Sequence, residues 1–260
     1  WEALQIAAHY RLDNLVGILD VNRLGQRGET LFGHNLEAYE RRIAAFGWQT
    51  FCIDGHAIGE VLTAFRKAAE VRDKPVMIVA HTRKGKGIPV AENRNGWHGK
   101  PITGPALQEA LATLQPAESM TAPIPPPEEA APAEPTAESA TGIVYDRAAP
   151  VATRRAYGNA LVRLSQAYPR MVVLDAEVGN STYAELFGRE QPDRFFEMFV
   201  AEQNMVGVAL GLDSRGRVPF VSSFAAFLTR AFDQIRMAQY SDANIKFCGS
   251  HAGVSIGEDG

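Results

Sequence analysis

Cysteine is scarce in this chain: two residues in 260, Cys52 and Cys248. Each stands in an apolar, strand-like run ("TFCID", "IKFCGS") with no spacing pattern, so both are expected to be reduced core residues of a cytosolic protein. No sign of charge dominates either. A net charge of −4 and a pI near 5.9 give no electrostatic reason to expect nucleic acid or an anionic membrane as partner. No apolar run approaches the ~18–20 residues of a membrane span. The longest, "PVMIVA" and "MVVLDA", read as buried strands. A Walker loop, a glycine fingerprint directly after a strand, paired cysteines and zinc-type histidine spacing are all missing. "GVSIG" (253–257) fits the G-x-S-x-G elbow, but the acid and histidine of that fold follow the serine, and no histidine follows Ser255. "NST" (180–182) matches a glycosylation sequon and carries little weight without a secretory signal. The chain opens inside a helical pattern without Met and closes in a loop, so a piece cut from a longer protein is expected.

What is present is an ordinary globular balance, 46% apolar and 22% charged, with room for two domains. In the first 100 residues helices (about 2–11, 36–46 and 58–70) alternate with the strands "LVGILDVN", "WQTFCIDG" and "PVMIVAHT". That alternation implies crossover units and a parallel sheet, with ligands beyond the carboxyl ends of the strands. Those ends carry Asp20 with Asn22, Asp54 with His56, and His81 with Thr82. Residues 116–150 then hold 8 of the 15 prolines, six acids and one base, Arg147. A stretch such as "APIPPPEEAAPAEPTAES" cannot bury enough apolar surface to fold and is expected to be a disordered linker. Alternation resumes with helices at 153–167, near 182–188, from Glu202 and at about 228–240, between the strands "MVVLDAEV", "FEMFVA", "VPFVSSF" and "NIKFCGS". The expected fold is α/β: two doubly wound parallel-sheet domains (1–115 and 151–260) joined by a Pro/Glu/Ala-rich linker.

Several polar residues stand at those strand ends. "VAEQNMVGVALGL" (200–212) is an apolar helical face, Met205, Val206, Ala209 and Leu210, that begins with the carboxylate Glu202. A first-turn acid is favoured by the helix macrodipole, which alone would explain it. "DVNRLGQ" (20–26) breaks a strand into a polar turn, where the Asn22 oxygen and the Leu24 carbonyl could face a hard cation such as Mg²⁺. An ordinary Asn turn fits the same residues. "RKGKG" (83–87) could cradle phosphate or be a solvated basic loop. "NGWHGK" (95–100) hangs His98 off a strand end. Phe224 and Phe227 in "SFAAFLTRAF" share one helical face, as core packing or as an aromatic wall.

The order and wording of these stretches are more specific than any one of them. "WEALQIAAHYRLDNLVGILDVNRLGQ", "AFGWQTFCIDGH", "RKGKG…WHGK", "ATRRAYGNAL", "AEQNMVGVALGL", "VPFVSSFAAFLTRAFDQIRM" and "CGSHAGVSIGEDG" together resemble transketolase, over nearly all of the chain outside the linker. The resemblance implies a cytoplasmic thiamine diphosphate enzyme with Mg²⁺ (or Ca²⁺ or Mn²⁺). It would move a two-carbon ketol unit from a ketose phosphate such as xylulose 5-phosphate to an aldose phosphate such as ribose 5-phosphate. It also implies a homodimer whose active site is shared between subunits, with no nucleic-acid or membrane partner. Residues 1–115 resemble the latter part of the diphosphate-binding domain, and 151–260 most of the pyrimidine-binding domain, both of thiamine-diphosphate-binding type.

By the same resemblance Asn22 and the Leu24 carbonyl are metal ligands, and Lys84 and His98 contact the cofactor. His98 also faces the substrate and carries protons, and Phe227 stacks on the aminopyrimidine. Arg154, Ser181, His251 and Asp259 bind substrate, with Arg154 suited to a sugar phosphate. Glu202 matches the catalytic glutamate, hydrogen-bonded to the pyrimidine ring so that the cofactor can lose a proton from its thiazolium carbon. The Gly-Asp-Gly stretch that supplies the acidic metal ligand in the family is not among these residues. The 260-residue chain alone is therefore expected to have little or no activity. Two other readings fit less of the wording: a shortened, non-catalytic paralogue that pairs with other subunits, and a related thiamine enzyme with a different donor or acceptor.

Overall fold

The computed structural model describes residues 1–114, 121, 123–126 and 142–253. The chain divides into two compact units, Trp1–Pro125 and Pro126–Gly260. Both are α/β with parallel sheets.

The first unit runs α1 (Glu2–His9), β1 (Val16–Val21), α2 (Leu36–Ala44), β2 (Gln49–Asp54), α3 (Ile58–Glu70), β3 (Val76–His81) and α4 (Pro105–Thr113). Its three strands are parallel in the order β1-β3-β2. The order follows from chemistry: "VMIVAH" is the most apolar run, and four of its six residues are buried in the centre. The register sets Val21 and Asp54 level with His81, so the three strands end together. One face of the sheet, Leu19, Val21, Met77 and Val79, packs with Ala7, Ile43 and Trp48 from α1, α2 and the residue before β2. The Trp48 indole N–H donates to the Leu4 carbonyl at 2.8 Å, so this buried ring keeps a partner. Asn35 caps α2 by accepting the Ala38 N–H at 3.0 Å.

The second unit runs α5 (Thr153–Ala167), β4 (Met171–Asp175), α6 (Gly179–Thr182), α7 (Glu185–Glu190), β5 (Phe195–Glu197), α8 (Glu202–Ser214), β6 (Val218–Phe224), α9 (Ala225–Leu228), α10 (Phe232–Tyr240) and β7 (Lys246–Ser250). Its strands are parallel in the order β5-β4-β6-β7. Central β4 is buried at all five residues, as "MVVLD" requires. Leu161 of α5 and Phe187 of α7 pack with Met171 and Val173 on one face. Val172, Leu174 and Val221 alternate to the other face and are buried as well, and α8 contacts β4 and β6. Gly158 is needed where α5 crosses the chain: a Cβ there would lie 2.5 Å from the Tyr183 carbonyl oxygen.

Five sequence expectations change. The helix expected at 228–240 is in three pieces, α9, a 3₁₀ turn at Thr229–Ala231, and α10, and it begins earlier, at Ala225. The helix expected near 182–188 is two, α6 and α7, because Tyr183 adopts a left-handed conformation (φ +63°) that ends the first. Cys52 is exposed rather than buried, because β2 is an edge strand and Cys52 shares its outward face with exposed Asp54. Cys248 is half-buried. Helix α4 was not expected at all; Pro105 at its first position and left-handed Gly104 before it are its local signals. Most of the expected linker, and Ser255 and Asp259, lie outside the described residues.

Candidate functional site

The carboxyl edge of the first unit is a set of loops tied by side-chain hydrogen bonds. Asn22 Oδ1 accepts the Leu24 N–H and Asn22 Nδ2 donates to Asp20 Oδ2, each at 3.1 Å. Asp20 in turn accepts the Thr82 hydroxyl from the chain beyond β3. The Asn22 amide is thus fixed in orientation, with its oxygen toward the turn that holds the Leu24 carbonyl. Leu24 itself is anchored by its buried side chain.

After β3, the Lys84 ammonium donates to His98 Nδ1 at 3.1 Å, which leaves the His98 proton on Nε2. Sequence positions 84 and 98 therefore converge, and both stay within reach of solvent. Glu92 accepts the Gly87 N–H at 3.0 Å and pairs with Arg83 at 3.4 Å. The Gly87 bond, with Arg83 and Lys86 adding to it, holds the Glu92 carboxyl below its ordinary range. His34, which the sequence did not single out, donates Nε2–H to the Thr82 carbonyl at 2.9 Å, and its ring lies 4.2 Å from that of His81. His56 Nε2 accepts the Arg83 N–H at 2.8 Å. Among the described residues, no group of three or more His, Cys, Asp or Glu side chains could hold a metal ion.

The second unit builds its edge differently. Glu202 is the first residue of α8 and is 3% exposed, on the same helical face as fully buried Met205, Val206 and Ala209. The apolar periodicity that buries the helix buries the acid with it. Its Oε2 accepts from Arg230 Nη1 at 3.1 Å; the arginine side chain is 54% exposed. Arg230 lies in the 3₁₀ turn between α9 and α10, so the break in the expected helix is what brings it to Glu202. Phe227 stacks on Phe224 with ring centroids 5.0 Å apart and 18° between planes, and the outer ring is 37% exposed. Ser223 Oγ, on the face opposite its neighbour Ser222, is buried without a partner among the described residues.

Arg154, Ser181 and His251 also meet. Arg154 Nη1 donates to the Ser181 carbonyl at 3.1 Å and to His251 Nε2 at 3.2 Å. His251 Nδ1–H then faces Ser250 Oγ at 2.8 Å, which fixes the tautomer. The His251 ring packs 4.0 Å from Phe224, and a cavity of about 690 Å³ opens here, lined by Arg154, Tyr157, Cys248 and His251. Beneath it, Tyr157 shares a hydrogen bond with buried Ser222 at 2.8 Å. Burial holds the Tyr157 phenol well above its ordinary range, and burial likewise raises the Cys248 thiol. Asp175, the last residue of β4, is fully buried; it accepts the Val178 N–H at 2.8 Å and the Thr182 hydroxyl at 2.7 Å. Burial pushes its pKa up to about 6 against the lowering effect of those two bonds.

Residues 1–124 match the family model of the transketolase thiamine diphosphate-binding domain, and residues 149–260 that of the transketolase pyrimidine-binding domain. The chain belongs to the transketolase family. It is 50% identical to transketolase-like protein 2 of Mus musculus over 266 residues, all of this chain and 42% of that one. It is 46% identical to transketolase of Homo sapiens over 267 residues, again all of this chain and 42% of the relative. The chain thus spans well under half the length of the curated relatives it matches. The crystal structure of transketolase from Campylobacter jejuni shares the fold, with a TM-score of 0.79 at 21% identity over 100% of this chain and 46% of that one.

Arg230, Tyr157 and Asp175, like His34, are side chains that sequence reasoning missed at these transketolase-type edges. Arg230 had a weak signal, a cation three residues after Phe227. The Tyr157–Ser222 pair joins positions 65 apart in the chain and had none.

Proposed function

We propose that this protein is a ketol transferase that carries a two-carbon unit from xylulose 5-phosphate or a similar ketose phosphate to ribose 5-phosphate or a similar aldose phosphate. Thiamine diphosphate with Mg²⁺ would be its cofactor. The observation that carries this reading is the burial of Glu202 at the start of α8, in a unit that also leaves one face of the Phe227 ring open, in a chain 46–50% identical to the relatives above throughout its length. A carboxylate costs several kcal/mol to bury without compensation, on the order of the penalty for any desolvated ion. The Arg230 guanidinium and the amino end of α8 both favour that carboxylate, and a polar group of a ligand hydrogen-bonded to it would add to the compensation.

The residues fit the group. Glu202 and the outer face of Phe227 suit a protonatable aminopyrimidine, one by hydrogen bond and one by stacking. The Asn22 and Leu24 carbonyl oxygens suit Mg²⁺, which keeps waters and phosphate oxygens in its shell when protein ligands are few. When bound, thiamine diphosphate supplies a stabilised carbanion that holds the two-carbon unit. Glu202 would hold a proton against the pyrimidine ring nitrogen, and Phe227 would fix the ring plane. Lys84 would place positive charge at the diphosphate. His98, with its proton on Nε2, would donate to a substrate hydroxyl or shuttle a proton there. Arg154 would pair with the substrate phosphate, oriented by His251 and the Ser181 carbonyl; Asp259 completes the substrate set. Exposed Phe232 and Tyr240, 73% and 76% accessible on α10, suit a homodimer interface, and a site shared between subunits belongs to the same proposal. Unpaired Cys52 and Cys248 suit the cytoplasm. Among the described residues no helix is long and apolar enough to cross a membrane.

The test uses the protein as its gene encodes it, with thiamine diphosphate, Mg²⁺ and the two sugar phosphates. Ketol transfer is expected in the wild type. Glu202→Ala is expected to fold, to bind cofactor weakly and to lower kcat/KM at least about 10³-fold. Wild-type-like turnover by the variant would sink the role given to Glu202. Cofactor binding without transfer in the wild type would favour a non-catalytic partner subunit.

A further inference from the structure

Arg23 stands between the two residues assigned to the metal, and its own side chain bonds Asn93 and Glu29. Its backbone is left-handed (φ +73°), which turns the side chain across the gap between the loop after β1 and the loop after β3. There Nε donates to Asn93 Oδ1 at 3.0 Å and Nη2 donates to the Asn93 carbonyl at 3.1 Å, while Nη1 pairs with Glu29. The planar guanidinium thus grips both oxygens of one asparagine, a geometry that a lysine cannot reproduce. Asn93 is itself left-handed (φ +54°), and its N–H donates to the Lys84 carbonyl at 2.8 Å. The grip therefore ends one bond from Lys84. Gly85 follows in a left-handed turn where a Cβ would lie 3.1 Å from the Ala91 backbone, so the loop is closed tightly upon itself.

We propose that Arg23 is a positioning residue that clasps the Asn22–Leu24 turn to the Lys84–His98 loop, so that metal-facing oxygens and diphosphate-facing cations are held at one fixed separation. The clasp rests on the reading of Asn22, Leu24, Lys84 and His98 as cofactor-facing groups. Its physical content is preorganisation: two loops without regular structure are ordered before the ligand arrives, and the binding step is spared that ordering. Glu29 neutralises the guanidinium from the solvent side and contributes little, since it is largely exposed. Asn93 is the partner that matters.

The test compares Arg23→Met, Arg23→Lys and Asn93→Ala with wild type in the protein as its gene encodes it. Amide hydrogen exchange over residues 84–98 is measured without ligand, and thiamine diphosphate affinity is measured by calorimetry in Mg²⁺. Exchange is expected to rise about tenfold in Arg23→Met and Asn93→Ala, and cofactor Kd to rise about tenfold in parallel. Arg23→Lys is expected to recover only part of either, and the Arg23→Met/Asn93→Ala double variant to be no worse than the singles. Unchanged exchange in both single variants overturns the clasp whatever the cofactor does. Faster exchange with unchanged Kd overturns its link to binding. If wild type binds no thiamine diphosphate in Mg²⁺, the assignment of the four groups fails and the positioning role with it, even where the exchange data show the clasp. Should Arg23→Met fail to fold, Asn93→Ala carries the same comparison.

Discussion

Asp175 and Glu92 are both carboxylates that accept backbone N–H groups beside a parallel sheet, yet their acidities move in opposite directions. Asp175 sits at the last residue of β4 with no solvent contact, and burial outweighs its two hydrogen bonds. Glu92 lies in the loop after β3, where the Gly87 N–H outweighs desolvation. The contrast extends to the two edges as wholes. The second unit prearranges its groups by packing: Glu202, Asp175, Thr182 and Ser222 are all buried, locked among apolar neighbours. The first prearranges by bridging hydrogen bonds between exposed loops, Asp20 to Thr82, Arg23 to Asn93 and Lys84 to His98. Packed groups keep their geometry through their neighbours; bridged groups depend on every link.

The largest effect short of removing Glu202 is expected at Arg154, which belongs to the packed edge but is only half-buried. Its two hydrogen bonds go to a carbonyl and an imidazole, leaving its charge uncompensated by any described ion pair. Arg154→Ala should raise KM for a phosphorylated acceptor about 10- to 100-fold. The melting temperature should shift by less than about 2 °C, because the walls of the cavity are held by other residues. Steady-state kinetics on phosphorylated and unphosphorylated acceptors checks this. An equal loss on both would show that Arg154 serves the shape of the site and not the phosphate.

Next comes Asp175→Asn, which separates burial from hydrogen bonding. The folded pKa of about 6 lies above the ordinary 3.8, so the folded state binds the proton more tightly than the unfolded chain does. Stability from the protonated acid is complete below about pH 4 and is lost as pH rises through about 6, on the order of 3 kcal/mol in all. The amide keeps an oxygen for the Val178 N–H and can donate to the Thr182 hydroxyl. Urea titrations from pH 4 to pH 7 should therefore show the wild type losing stability with rising pH relative to the variant. Parallel curves across that range would mean that Asp175 is not desolvated in solution.

The strands were the most legible part of the fold, because runs such as "VMIVAH" and "MVVLD" are apolar enough to be buried on both faces. Cys52 was misjudged for the complementary reason: "TFCID" has the composition of a buried strand, and nothing in it tells an edge strand from a central one. The break between α9 and α10 contains neither Gly nor Pro, so no local signal announced it. The partners of the site residues were illegible for a different reason. Arg154 meets His251 across 97 positions and Arg230 meets Glu202 across 28, and such pairings depend on which helices the sheet brings side by side. A sequence can mark the strand end where a side chain belongs; it does not reveal which neighbour that side chain will hold.

The smallest effect is expected at Glu92→Gln, and its sign is the reverse of that at Asp175. The folded pKa of Glu92 lies below the ordinary 4.5, so its stabilising contribution is present above that pH and is lost as pH falls through the folded value. Glutamine keeps an oxygen to accept the Gly87 N–H but surrenders the charge toward Arg83 and Lys86. Because the carboxylate is partly open to solvent, the charge is screened, and at pH 7 the melting temperature should fall by less than about 2 °C. In 1 M salt even that difference should shrink, since the screening length drops to about 3 Å. The informative limb is the acid one. Below pH 4.5 the wild type should lose its small advantage while the variant does not. A variant as strongly altered as Asp175→Asn would mean that the loop after β3 is held by packing after all, and the distinction between the two edges would collapse.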